Sequence, residues 1–157
     1  VEVDWPGFAT HGVYLSPASS SERTHQLDAL REVVCSSGAR HLVFGDFNLA
    51  PEDRDGRYGG APSLFTHSSE RAAFRKLLAD GGLTDLYRHQ HLDGEDFTFE
   101  KTHRGKRLQF RCDLALVSRD LADTSSLVHL HEPRTHGLSD HSAVLLDLAI
   151  QPGKRNI

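Results

Sequence analysis

The stretch Arg40-His41-Leu42-Val43-Phe44-Gly45-Asp46-Phe47-Asn48 decides how the rest of the chain is read. Its apolar centre predicts a short buried strand, with Leu42 to Phe44 as its middle. The strand then breaks at a glycine into a carboxylate and a carboxamide. Gly45 lets the backbone turn tightly and a ligand come close, Asp46 offers a hard oxygen donor, and Asn48 an amide that both donates and accepts. These groups suit a phosphate or a metal ion. They also suit a turn closed by side-chain-to-backbone bonds, because Gly, Asp and Asn dominate turns.

Upstream, His11 to Ser16 reads as a strand closed by Pro17. Ser19 to Ser21 sit where helix caps belong. Leu27, Leu30, Val33 and Val34 recur at helical spacing as far as Gly38, so a helix is predicted from about residue 21 to 36. Strand, helix, strand is the pattern of a parallel crossover in an α/β layer architecture. Ala50 to Pro62, rich in Pro, Gly, Asp and Arg, reads as a loop. A second helix is predicted from near Ser69 to Gly81-Gly82, burying Ala73, Phe74, Leu77 and Leu78. Beyond it the chain turns strand-like, at Asp96 to Glu100, Leu108 to Ser118, Leu127 to His131 and Ala143 to Ile150. One domain over residues 1–150 with a polar tail at 151–157 is the expected organisation.

Bulk composition narrows the function classes. With 157 residues, the chain is long enough to bury roughly 70% of its unfolded surface around one core. Apolar content of 38% against 25% charged residues is ordinary for a soluble domain, and no apolar run reaches the about 18 residues of a membrane span. A net charge of −4 gives no general pull toward polyanions, so any such site must be local. Cys35 and Cys112 are too few for a disulfide framework; both read as small buried side chains, with an intracellular setting as the modest implication. The chain begins at Val1 and contains no Met, which reads as a processed chain or a piece of a longer one.

Two further clusters repeat the theme of acids at the core rim. Asp140 and His141, in Gly137 to Leu148, stand in a turn just before an apolar strand; they offer a metal ligand and a phosphate donor, or a cap and a surface histidine. Asp113 lies inside Phe110-Arg111-Cys112-Asp113-Leu114, where burial demands a partner. His141, held in one tautomer, is one such partner; Arg111, two residues away on the same strand face, is the other.

Gly45-Asp46-Phe47-Asn48, then Arg111-x-Asp113-x-x-Leu116-x-Ser118, then Ser139-Asp140-His141 before the last strand, together resemble the carboxyl-terminal half of the endonuclease/exonuclease/phosphatase superfamily. Val13 to Pro17 looks like the family strand that carries a tyrosine, here Tyr14. The superfamily includes exonuclease III-like and apurinic endonucleases, deoxyribonuclease I, LINE-type retrotransposon endonucleases and several phosphatases. The resemblance implies a deoxyribonuclease I-like two-sheet α/β sandwich, a Mg²⁺ or Mn²⁺ cofactor and hydrolysis of a phosphodiester by in-line attack of water. It implies that Asp46, with Asn48, holds the water and the phosphate, that Asp140 and Asp46 bind metal, that His141 steadied by Asp113 donates to the phosphate, and that Tyr14 supports it. The family's amino-terminal Asn and metal-binding Glu have no counterpart here. A metal that rests on that Glu is expected to bind weakly, and one sheet face to lack part of its cover.

Lys101, Arg104, Lys106, Arg107 and Arg111 place five cations within eleven residues of an acidic chain. Beside Phe99 and Phe110 they read as a hairpin that grips a nucleic-acid backbone, or as a solvated tip. The resemblance favours DNA as the partner. The Trp-Cys-Asp-Arg run of the inositol phosphatases is absent. Two other patterns fail on inspection. Asp53-Arg54-Asp55-Gly56 opens like a calcium loop but has Tyr58 and Leu64 where Gly and Glu are required, and the pairs His89/His91 and His129/His131 lack a third zinc ligand at ordinary spacing.

Overall fold

A computed structural model describes residues 8–148 and the backbone of residues 2–5. The proposed tail at 151–157 and the last two residues of the strand predicted to end at Ile150 lie outside the described residues. In chain order the elements are β1 (Glu2–Trp5), β2 (Phe8–Tyr14), α1 (Ser20–Ser36), β3 (Arg40–Asp46), β4 (Gly56–Tyr58), β5 (Ala61–Pro62), α2 (Ser68–Asp80), β6 (Leu83–Asp85), α3 (Leu86–Gln90), β7 (Phe99–His103), β8 (Lys106–Phe110), β9 (Asp113–Ser118), β10 (Ser125–Leu130), α4 (Glu132–Thr135) and β11 (Ala143–Leu148). They form a five-stranded sheet in the order β1-β2-β3-β9-β6, a four-stranded sheet β5-β4-β8-β7, and the pair β10-β11.

The crossover is present. β2 and β3 run parallel, joined by α1, which starts with the Ser19 hydroxyl accepting from the Glu22 amide at 3.1 Å. α2 begins in a capping box of His67 and Glu70, and Glu70, fully buried, also pairs with Arg23 of α1. Alternate residues of the central strands then separate into two cores. Val43, Leu114 and Leu116 pack with Leu27, Val34, Phe74 and Leu77 of the two long helices. Leu42, Ala115 and Val117 pack on the other face with Leu86, Tyr87 and Leu127, joined by Val144, Leu146 and Leu148. A sheet covered on both faces explains why β3 and β9 read as continuous apolar runs.

Five sequence readings change. Leu108 to Ser118 is not one strand: it breaks at Arg111-Cys112, where the chain leaves the four-stranded sheet for the five-stranded one. Arg111 is 1% exposed and is held by Asp55 (2.7 and 3.0 Å) and Asp85 (3.0 and 2.7 Å), so it neither pairs with Asp113 nor belongs to a solvated hairpin. Asp96 to Glu100 starts a strand only at Phe99, because Thr98 uses its hydroxyl to accept from the Cys112 and Asp113 amides, at 3.2 and 3.1 Å. Ala50 to Pro62 holds a short 3-10 turn and two strands, β4 pairing with distant β8 and β5 with β4, and Cys35 is exposed on α1.

Candidate active site

The site grows from the end of β3. Gly45 has φ +137°, and a Cβ there would lie 2.0 Å from the Val13 carbonyl oxygen of the adjacent strand, so only glycine lets β2 and β3 stay in register here. That register places Tyr14 beside Asp46 on one side and Asp113 of β9 beside it on the other. Three candidate positions thus come from the ends of three neighbouring strands.

Asn48 takes a left-handed conformation, φ +48°, which turns it back on the strand it has just left. Its amide donates to Asp46 Oδ1 at 2.8 Å and its Nδ2 to Asp46 Oδ2 at 3.0 Å, while Nδ2 also reaches the Leu15 carbonyl at 2.9 Å. Both turn chemistry and site geometry are therefore realised by the same residues. Burial pushes the Asp46 carboxyl above the usual range and the charge of Asp113 adds to this, against the hydrogen bond from Asn48 and the nearby His141.

Asp113 faces its partner across 28 residues of sequence. The His141 Nδ1 donates to Asp113 Oδ2 at 2.9 Å, and the imidazole also lies against the Phe99 ring, centroids 4.9 Å apart. The bond to Asp113 raises the His141 pKa although burial opposes it, with the charges of Asp46 and Asp140 adding. Nδ1–H committed to a carboxylate fixes the tautomer and leaves Nε2 to act. Thr98, invisible to local sequence reading, ties the backbone of Cys112 and Asp113 in place.

Cys112, Asp113 and His141 bring one potential ligand atom each within 4.8 Å of one another. They make a poor zinc site, because they are three donors where a structural zinc site takes four and the Asp113 carboxylate is already engaged by His141. The donors that remain are hard oxygens. Asp46 and Asp113 stand opposite each other in the β3–β9 register, and a divalent cation such as Mg²⁺, which binds through one or two carboxylates, would relieve their mutual repulsion. The residues present fit such an ion.

Not every predicted residue joins one cleft. Asn48, Cys112, His141, Phe110 and Lys101 line a cleft of about 410 Å³ together with Arg23, Phe65, His67 and Phe99. Asp140, next to His141 in sequence, borders a neighbouring hollow with Glu100, Arg107 and Arg134. Tyr14 is 68% exposed at its strand end. Of the predicted cations, Arg107 is held by Glu100 at 2.6 and 2.7 Å, whereas Lys101, Arg104 and Lys106 form no ion pair among the described residues. His129 and His131 meet a third group after all: Asp96 accepts from His129 Nδ1 at 2.8 Å and from His131 Nε2 at 3.0 Å, and His131 Nδ1 meets Ser142 Oγ at 2.8 Å, beside His141.

Comparison with known proteins identifies the family and the fold. Residues 3–141 match the model of the Endonuclease/Exonuclease/phosphatase family. The chain is 28% identical over 140 residues to the Transposon TX1 uncharacterized 149 kDa protein of Xenopus laevis, covering 87% of this chain and 10% of that protein. Among solved structures it is similar to an AP endonuclease from Archaeoglobus fulgidus, with a TM-score of 0.79 and 21% identity, covering 95% of this chain and 64% of that one. It is also similar to the 3′ phosphatase NExo from Neisseria bound to product DNA hairpin, with a TM-score of 0.76 and 26% identity over the same shares, 95% and 64%. The chain thus spans less than two thirds of the length of each of these relatives. With a family match over most of its length and a deoxyribonuclease I-like sandwich as its fold, the chain belongs to the endonuclease/exonuclease/phosphatase family.

Proposed function

We propose that this chain carries the catalytic machinery of a divalent-metal-dependent phosphodiester hydrolase whose substrate is DNA. The observation that carries the reading is the His141–Asp113 pair standing beside Asp46 and Asn48 at one edge of the sheet, where the carboxyl end of β3 meets the amino end of antiparallel β9. A phosphoryl centre needs little covalent help from a protein; it needs a held nucleophile and positive groups where charge accumulates. Asp46, with its pKa raised by burial, holds and deprotonates the attacking water, and Asn48 fixes that carboxylate while contacting the phosphate. His141, kept protonated on both ring nitrogens by the Asp113 carboxylate at Nδ1, donates from Nε2 to a non-bridging oxygen. Tyr14, at the rim beside Asp46, supports the phosphate or leaving group. Asp46 would hold Mg²⁺ or Mn²⁺, with Asp140 contributing from the neighbouring hollow, and the ion would supply Lewis-acid neutralisation of the developing charge.

DNA is favoured by the exposed cations Lys101, Arg104 and Lys106 beside Phe110, with Arg107 braced by Glu100, and by the DNA hairpin named for the Neisseria relative. That relative is a 3′ phosphatase, which favours monoester hydrolysis as a second reading. Rates on bis(p-nitrophenyl) phosphate and on p-nitrophenyl phosphate, with Mg²⁺ and with EDTA, separate the two. A metal-dependent rate on the diester supports the proposal; a rate on the monoester alone replaces it with the phosphatase reading, and no rate on either contradicts both.

A further inference from the structure

His141 begins a run of rings that extends away from the phosphate site. Centroids are 4.9 Å apart from His141 to Phe99, 6.4 Å from Phe99 to Phe110, 6.4 Å from Phe110 to Phe65 and 5.5 Å from Phe65 to Tyr58. His103 closes the far end, 6.1 Å from Tyr58 and 6.0 Å from Phe65. Phe65 is the wall shared by two hollows, the cleft with Asn48 and His141 and a second of about 280 Å³ lined by Tyr58, Ala61, Pro62 and Leu64. Core packing does not account for this second hollow, because Leu64 is 92% and Phe65 48% exposed.

Charge identifies the occupant. The Lys106 ammonium lies 5.5 Å from the Tyr58 ring centre, and Lys101 5.2 Å from that of Phe99. Arg104, at the tip of the β7–β8 hairpin, adds a third cation on the same element. An apolar peptide would gain nothing from this rim, whereas a nucleotide uses both parts, its base on the rings and its phosphates on the lysines. A base inside a duplex has both faces occupied by its stacking neighbours, so only an unpaired base meets these rings.

We infer that the hollow between Tyr58, Leu64 and Phe65 is a base-stacking subsite, and that the substrate class is nucleic acid that is single-stranded or locally unpaired next to the scissile phosphate. This rests on the reading that the phosphate sits at His141. The strand passes Lys101 and Lys106 and lays a base against Phe65.

Fluorescence anisotropy without divalent metal, on a labelled oligothymidylate and on a hairpin duplex of equal charge, tests it. The wild-type chain should bind the single strand more tightly. Phe65→Ala should weaken single-strand binding about tenfold and leave the duplex unchanged. Phe65→Leu, which keeps apolar volume without a ring, should weaken it as well, and both variants should melt near the wild type. Preference for the duplex, equal loss on both ligands, or wild-type binding by Phe65→Leu would overturn the inference. Diester hydrolysis by the wild-type chain, measured separately, reports on the phosphate site, so failure of either reading is visible by itself.

Discussion

His141 Nδ1 lies 2.9 Å from Asp113 Oδ2, so an imidazole from the turn before β11 is oriented by a carboxylate from the first residue of β9. The bond raises the His141 pKa, and the sign of the consequence follows. A group whose folded pKa is raised adds stability that is complete below its unfolded value, about 6.5, and lost as pH rises through the folded value. NMR titration of the metal-free chain should place His141 above an ordinary histidine, and Asp113→Asn should lower its midpoint. An unchanged midpoint would mean that the pair does not couple.

Removing the nucleophile's holder should separate catalysis from folding. Asp46→Ala removes a half-buried carboxylate that faces another acid, so turnover should fall by about 10²-fold or more while the melting temperature stays within a few degrees. Asn48→Gly preserves the left-handed backbone at φ +48° and deletes only the amide, and should lower the rate with less effect than Asp46→Ala. Wild-type turnover in Asp46→Ala would remove that residue from the chemistry.

Arg111 is a structural centre. Its buried guanidinium satisfies Asp55 and Asp85, and Arg88 adds a 2.6 Å contact to Asp55. Arg111→Met leaves two buried carboxylates without their main partner, which should cost about 3–5 kcal/mol in urea unfolding. Adding Asp55→Asn and Asp85→Asn should restore part of the loss; a single variant as stable as wild type would show that the network is not needed.

Asp96 gives a stability prediction of opposite sign to that of His141. Burial alone would raise its pKa, but hydrogen bonds and charge from His129 and His131 hold it below the usual carboxylate range. Its contribution is present above the unfolded value of about 3.9 and lost as pH falls through the lower folded one. Asp96→Asn should therefore destabilise the chain at pH 6 more than at pH 3, measured by thermal melts. Equal destabilisation at both would assign the effect to packing.

Metal placement is open to direct observation. Mn²⁺ added to isotope-labelled chain should broaden the resonances of Asp46, Asn48 and Asp140 first, and Asp46→Ala should weaken that effect. Broadening centred on His129 and His131 instead would place the ion elsewhere.

Much of this was legible in the residues. The β2–α1–β3 crossover announces itself by a change from strand to helical period, and the three short motifs point to one sheet edge. The His141–Asp113 pair follows from asking what a buried acid needs. What stayed hidden depends on contacts far apart in the chain. β4 and β5 look like a loop because β8, the strand that ties β4 into its sheet, lies about fifty residues on. The break at Arg111-Cys112 looks like mid-strand because its cause, Asp55 and Asp85, sits on other elements. Thr98 and Phe65 carry no local mark of their positions near the site.

The central claim is tested most directly by nicking of single-stranded circular and supercoiled plasmid DNA by the purified chain in Mg²⁺, beside Asp46→Ala and an EDTA control. The account predicts nicking by the wild type that both controls abolish. No nicking by a folded, Mg²⁺-loaded chain, or nicking that persists in Asp46→Ala, would contradict it.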